Sequence, residues 1–134
     1  ATFSSDGKRA YISAEVGGSI TVVDAEKHQP VGTISLERGE GKPVGVVVSS
    51  DGKWLYAANG RTSTVSVVNL TSGTVAATIP VGRRPWGIAL SRDGRTLYTA
   101  NGLSNSVSVI DVDSRKVTAT IGVGQRPWGV ALTR

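Results

Sequence analysis

Arg84-Pro-Trp-Gly-Ile-Ala-Leu-Ser-Arg-Asp-Gly-Arg-Thr-Leu-Tyr-Thr-Ala-Asn-Gly102 is the clearest copy of a unit that recurs on both sides of it. Pro85-Trp86-Gly87 returns 42 residues later as Pro127-Trp128-Gly129, and 42 residues earlier in the weaker form Pro43-Val44-Gly45. A fixed period of this size marks a repeat architecture, in which one unit cannot bury its apolar face without its neighbours. Asp6-Gly7, Asp51-Gly52 and Asp93-Gly94 repeat in step, each between two short apolar segments. Asp-Gly in that setting signals a hairpin, because glycine accepts a positive φ in a tight turn. The first Asp-Gly spacing is 45 residues and the second 42, so three extra residues lie in the loop Glu37–Lys42.

Each unit reads as four short strands. In the middle copy these are Gly45–Ser49, Lys53–Asn59, Val65–Asn69 and Val75–Val81. Segments such as Val107-Ser-Val109 alternate apolar with small polar residues, while Val46-Val-Val48 is apolar throughout. That mixture suits a sheet covered on both faces by other sheets. Valine, isoleucine and threonine are abundant and no long stretch keeps a helical period. The expected fold is therefore all-β: a β-propeller of four-stranded antiparallel blades of about 42 residues, with about three blades in this chain. Blade 1 takes residues 1–42, blade 2 residues 43–84 and blade 3 residues 85–126. Residues 127–134 read as the inner strand of a further blade, duplicating the role of Ala1–Ser4. Three blades leave two open flanks, so the chain is expected either to belong to a longer propeller or to associate with copies of itself. Light scattering decides that point.

Composition narrows the chemistry. With 39% hydrophobic residues and 19% charged residues, the chain has a globular balance. No apolar run approaches the roughly 18 residues of a membrane span. There is no cysteine, which excludes disulfides and thiolate chemistry, and the single histidine is His28, in an evident turn. No cofactor or metal site is expected, since no multi-histidine set, carboxylate pair or phosphate-binding glycine loop emerges. The net charge of +5 is uneven: residues 1–67 balance, and residues 68–134 carry eight basic against three acidic side chains. That asymmetry suggests an anionic partner. Nucleic acid fits poorly, because the basic residues are spread over loops at both ends of the blades and there is one Phe.

Tyr56-Ala-Ala-Asn59 and Tyr98-Thr-Ala-Asn101 resemble the Tyr-Val-Thr-Asn element that names the YVTN family of β-propeller repeats. Val107-Ser-Val-Ile-Asp111 and Thr120-Ile-Gly-Val-Gly124 resemble it too, while Tyr11-Ile-Ser-Ala14 departs by lacking the Asn. The Arg-Pro-Trp-Gly variant is most similar to bacterial propellers associated with quinone-dependent (PQQ) alcohol oxidation. The resemblance implies an exported protein of the bacterial periplasm or cell surface.

If the strands run a to d outward from the axis, the d–a and b–c loops share one face. That face is expected to carry Arg83, Arg84, Trp86, Arg126 and Trp128, with Asn59 and Asn101 at the strand ends. Arg beside Trp suits an anion or an interface hot spot, through bidentate hydrogen bonds and stacking. The competing structural reading is that Trp seals the seam between blades while Arg covers it. Function is accordingly read as a non-catalytic binding scaffold for a protein or an anionic small molecule. The alternative is a propeller enzyme or subunit, lactonase- or lyase-like or a quinoprotein dehydrogenase component, with catalytic groups in other blades. Paired replacement of Arg84, Trp86, Arg126 and Trp128 should weaken binding more than replacement of Lys53 or Arg115.

Overall fold

The computed structural model describes residues 1–133 as three four-stranded antiparallel sheets, each meandering in chain order. Blade 1 contains β1 (Thr2–Phe3), β2 (Arg9–Ala14), β3 (Ser19–Asp24) and β4 (Gln29–Ser35). Blade 2 contains β5 (Pro43–Val48), β6 (Trp54–Asn59), β7 (Thr64–Asn69) and β8 (Thr74–Pro80). Blade 3 contains β9 (Pro85–Leu90), β10 (Thr96–Asn101), β11 (Ser106–Asp111) and β12 (Lys116–Gly122). The fold is thus the all-β, propeller-type arrangement expected, with strand ends within two residues of those read from the repeat. Residues 123–133 form no ladder, so the inner strand expected over 127–134 is not formed among the described residues, and Arg134 lies outside them.

The Asp-Gly turns form for a local reason. Ser4, Ser49 and Ser91 donate Oγ–H to Oδ1 of Asp6, Asp51 and Asp93 at 2.6, 2.5 and 2.6 Å. The following Gly7, Gly52 and Gly94 adopt φ of 71°, 70° and 73°, the left-handed region glycine enters without strain. At the same end of the sheet, Asp24 and Asn69 close the β3–β4 and β7–β8 turns by accepting two backbone N–H bonds each. Asp111 accepts from Ser114 N–H at 2.7 Å. Even the irregularities repeat: the third-to-fourth strand pairing shifts register after Val22, Val67 and Val109.

Two apolar seams hold the blades together. Seam 1–2 is built on Tyr11, Ile20, Ile34, Leu36, Leu55, Ala57 and Val68; seam 2–3 on Tyr56, Val65, Val67, Ile79, Leu97 and Ile110. Near the axis the inner strands meet backbone to backbone. A Cβ on Gly45 would lie 2.5 Å from the Trp86 carbonyl oxygen, and one on Gly87 would lie 2.6 Å from Gly129 Cα. The segment around Gly129 therefore sits against β9 as β9 sits against β5. The outer flanks lack that cover: Phe3 is 60% exposed at one end and Ile121 50% at the other.

Candidate functional site

The loops that precede each inner strand and the loops after each second strand are laced into one face. Gly102 N–H donates to Arg84 O at 2.9 Å, Leu103 N–H to Arg83 O at 3.1 Å, and Arg126 N–H to Asn105 Oδ1 at 3.0 Å. Arg83 N–H donates to Ser104 Oγ at 2.7 Å. In every copy the residue before proline is long, basic and left-handed: Lys42, Arg84 and Arg126, with φ of 53°, 56° and 51°. Pre-proline residues favour the β region, and a non-glycine residue held at positive φ stores strain that the surrounding lacing must offset. This regularity was not legible in the residue pattern.

The side chains fall into two groups. Trp86 lies over the Asn101-Gly102 corner so closely that a Cβ on Gly102 would overlap its ring. Trp128 stacks on Trp86, with ring centroids 4.3 Å apart and planes 21° from parallel, and is itself 70% exposed. Arg83 and Arg126 are exposed, and the half-exposed Arg84 guanidinium lies 3.9 Å from Glu15 Oε1. The structure thus brings Trp86, Trp128 and the three arginines to one face. Asn59 and Asn101 lie beneath that face and not on it, contrary to the expectation, because both are fully buried. Asn101 Nδ2–H donates to Ser106 and Ser108 Oγ at 3.2 and 2.9 Å, and its Oδ1 accepts from Thr99 Oγ1 at 3.1 Å. Asn59 Nδ2–H donates to Thr64 Oγ1 and Ser66 Oγ at 3.0 and 2.8 Å. These asparagines tie adjacent strands together inside the sheets.

Three carboxylates join the face that residue patterning did not select. Glu15 stands where the other copies have Gly60 and Gly102. Glu37 accepts from Thr64 Oγ1 at 2.6 Å and Asn59 Nδ2 at 3.2 Å, and Glu40 pairs with Arg61 at 3.4 Å. The three-residue insertion at Glu37–Lys42 was the available signal, and it forms a 3₁₀ turn over Glu37–Gly39. The face carries six basic and three acidic side chains, net +3. Chemically it offers guanidinium forks for a carboxylate or phosphate and an indole surface for a flat group. Among the described residues no group of three or more His, Asp or Glu is placed to hold a metal ion.

Solved structures share this fold. Hydrazine synthase of Kuenenia stuttgartiensis is 31% identical, with a TM-score of 0.88 over 95% of this chain and 36% of that one. A candidate 6-phosphogluconolactonase of Bacteroides uniformis is 26% identical, with a TM-score of 0.77 over 94% of this chain and 40% of that one. A second such protein, from Bacteroides fragilis, is 23% identical with a TM-score of 0.80 and supports the fold alone. The chain therefore spans well under half the length of these proteins. No curated protein matches it. The family model described as "Lactonase, 7-bladed beta-propeller" matches residues 1–124, and the chain belongs to that family.

Proposed function

We propose that the loop face is a binding surface for an anionic small molecule or an acidic protein surface. Arg83, Arg84 and Arg126 supply the charge, and the Trp86–Trp128 stack supplies the platform. The observation that carries this reading is that stack: a 70% exposed indole fixed in place by a second indole, beside exposed guanidinium groups. An immobilised aromatic surface loses little conformational entropy on binding, and Arg and Trp dominate interface energetics. The carboxylates of the same face are engaged with Arg84, Arg61, Thr64 and Asn59, while Arg83 and Arg126 have no carboxylate partner among the described residues.

The Arg-Pro-Trp-Gly repeats and their YVTN resemblance suggest an exported protein of the periplasm or cell surface, in the company of quinone-dependent alcohol oxidation. The open flanks suit cover by further blades or by another copy of the chain. A second reading is favoured by the family match over residues 1–124. In it the chain is part of a lactone-hydrolysing propeller, the arginines hold the acid portion of the substrate, and other blades complete the catalytic set.

Calorimetric titration with citrate, inorganic phosphate and an acidic peptide tests the first reading. Replacing Arg84 and Trp86, or Arg126 and Trp128, with alanine should weaken binding by about tenfold or more, whereas Lys53→Ala should not. Retained binding in both folded pairs assigns the Trp–Arg motif to seam packing. Steady acid release from a lactone, lost in the same variants, selects the enzymatic reading. Binding to nucleic acid at low ionic strength that weakens with salt would instead point to a polyanion site.

A further inference from the structure

The two seams open differently on the face opposite the loop face, where the Asp-Gly turns lie. At seam 2–3 the Trp54 side chain fills the groove beneath Arg115, whose guanidinium carbon is 5.3 Å from the ring centroid. Only about 160 Å³ remains there, walled by Tyr56, Val67, Val112 and Asp113. At seam 1–2 the repeat places Tyr11, Val22, Leu70 and Thr71 at those four wall positions, and all four line open grooves. The two plugging residues are the ones that change: Trp54 corresponds to Arg9, and Arg115 corresponds to Gly73. The result is two adjoining grooves of about 510 and 470 Å³ that share Arg9, Tyr11 and Leu70, within the size range of small-molecule sites.

The charge around this opening is inverted relative to the chain. Asp6, Asp24, Glu26 and Asp51 line it against Lys8 and Arg9, a local excess of two negative charges in a protein of net +5. Each Asp commits Oδ1 to its own turn, and the second carboxylate oxygen of each has no hydrogen-bond partner among the described residues. We propose that the seam 1–2 groove binds a planar aromatic cation. Its ring takes the place that Trp54 holds at the next seam, against Tyr11 and Leu70, and its positive charge meets the carboxylates at the mouth. Shape and charge then select together, since an apolar slot alone discriminates poorly between flat molecules.

Titration calorimetry with tryptamine, indole-3-acetate and butylamine separates the contributions. Saturable tryptamine binding at least about tenfold tighter than either of the others is expected, because one lacks the positive charge and the other the ring. Rebuilding the plug with Arg9→Trp and Gly73→Arg should abolish it. Gly73 has φ +68° and its equivalent Arg115 has φ +56°, so the backbone already accommodates arginine there. If the double variant misfolds, Gly73→Arg alone serves, since nothing lies within 4 Å of the added Cβ. Absence of saturable tryptamine binding, equal affinity for indole-3-acetate, or undiminished binding in the plugged variant overturns the proposal. So does loss of tryptamine binding in Trp86→Ala/Trp128→Ala, which would move the ligand to the loop face.

Discussion

Seam 1–2 and seam 2–3 are made by the same repeat, yet only one of them is closed along its whole length. Both bury a tyrosine (Tyr11, Tyr56) and a leucine (Leu55, Leu97) at matching positions. Seam 2–3 adds Trp54 under Arg115. Seam 1–2 instead adds Leu36, fully buried just before the long loop, and the loop itself, whose Gly39 lies hard against Gly18. Repetition therefore sets the core of each seam, while single departures from the repeat decide where surface features form. A propeller varies its function in this way without disturbing its packing.

The comparison can be broken first at its shared core. Leu55→Ala and Leu97→Ala should each cost about 2–5 kcal/mol, because both remove a fully buried side chain from a packed cluster. Urea midpoints that differ widely between them would show the seams to be unequal in packing. Gly18→Ala attacks only the long loop. Its Cβ would overlap the Gly39 carbonyl and the residue sits at φ +61°, so about 3 kcal/mol is expected. Unchanged stability would mean that the loop shifts freely.

Smaller substitutions sharpen the contrast. Thr99 donates to Asn101 Oδ1, whereas its counterpart Ala57 leaves Asn59 Oδ1 without a partner. Ala57→Thr should therefore stabilise blade 2 by about 1 kcal/mol, measured as a raised denaturation midpoint; a loss would show that seam 1–2 has no room for the added atoms. Arg115→Gly should turn the closed groove toward the open one at a cost of about 0.5–1 kcal/mol, read from the environment of Trp54 fluorescence.

Acid and alkali should act on both seams alike. Asp6, Asp51, Asp93 and Asp111 are held below the ordinary 3.8 chiefly by side-chain bonds from Ser4, Ser49, Ser91 and Ser114, and Asp24 chiefly by the Lys27 backbone N–H. A lowered folded-state pKa gives stabilisation that is present above 3.8 and lost as pH falls through the folded value. Burial raises Tyr11 and Tyr56 above 10.0, so their contribution is complete below that pH and lost as pH rises through the folded value. Denaturation midpoints that stay flat below pH 3.8 or above pH 10 would contradict these assignments.

The period, the strand count and the turn chemistry were legible in the residues, because each depends on contacts within about forty positions. Asp-Gly reports its own turn, and alternating valines report a two-sided strand. The Arg and Trp side chains were readable as a shared face for the same reason: loop order follows from strand order. Tertiary structure decided the rest. Asn59 and Asn101 were indistinguishable from face residues until the second and third strands were paired, since burial depends on what lies above a position. Glu15 became a partner of Arg84 only because blades 1 and 3 converge near the axis, a closeness no local pattern records. The open groove likewise belongs to no single repeat. It arises where Arg9 of one blade meets Gly73 of the next, and only blade packing brings those two positions together.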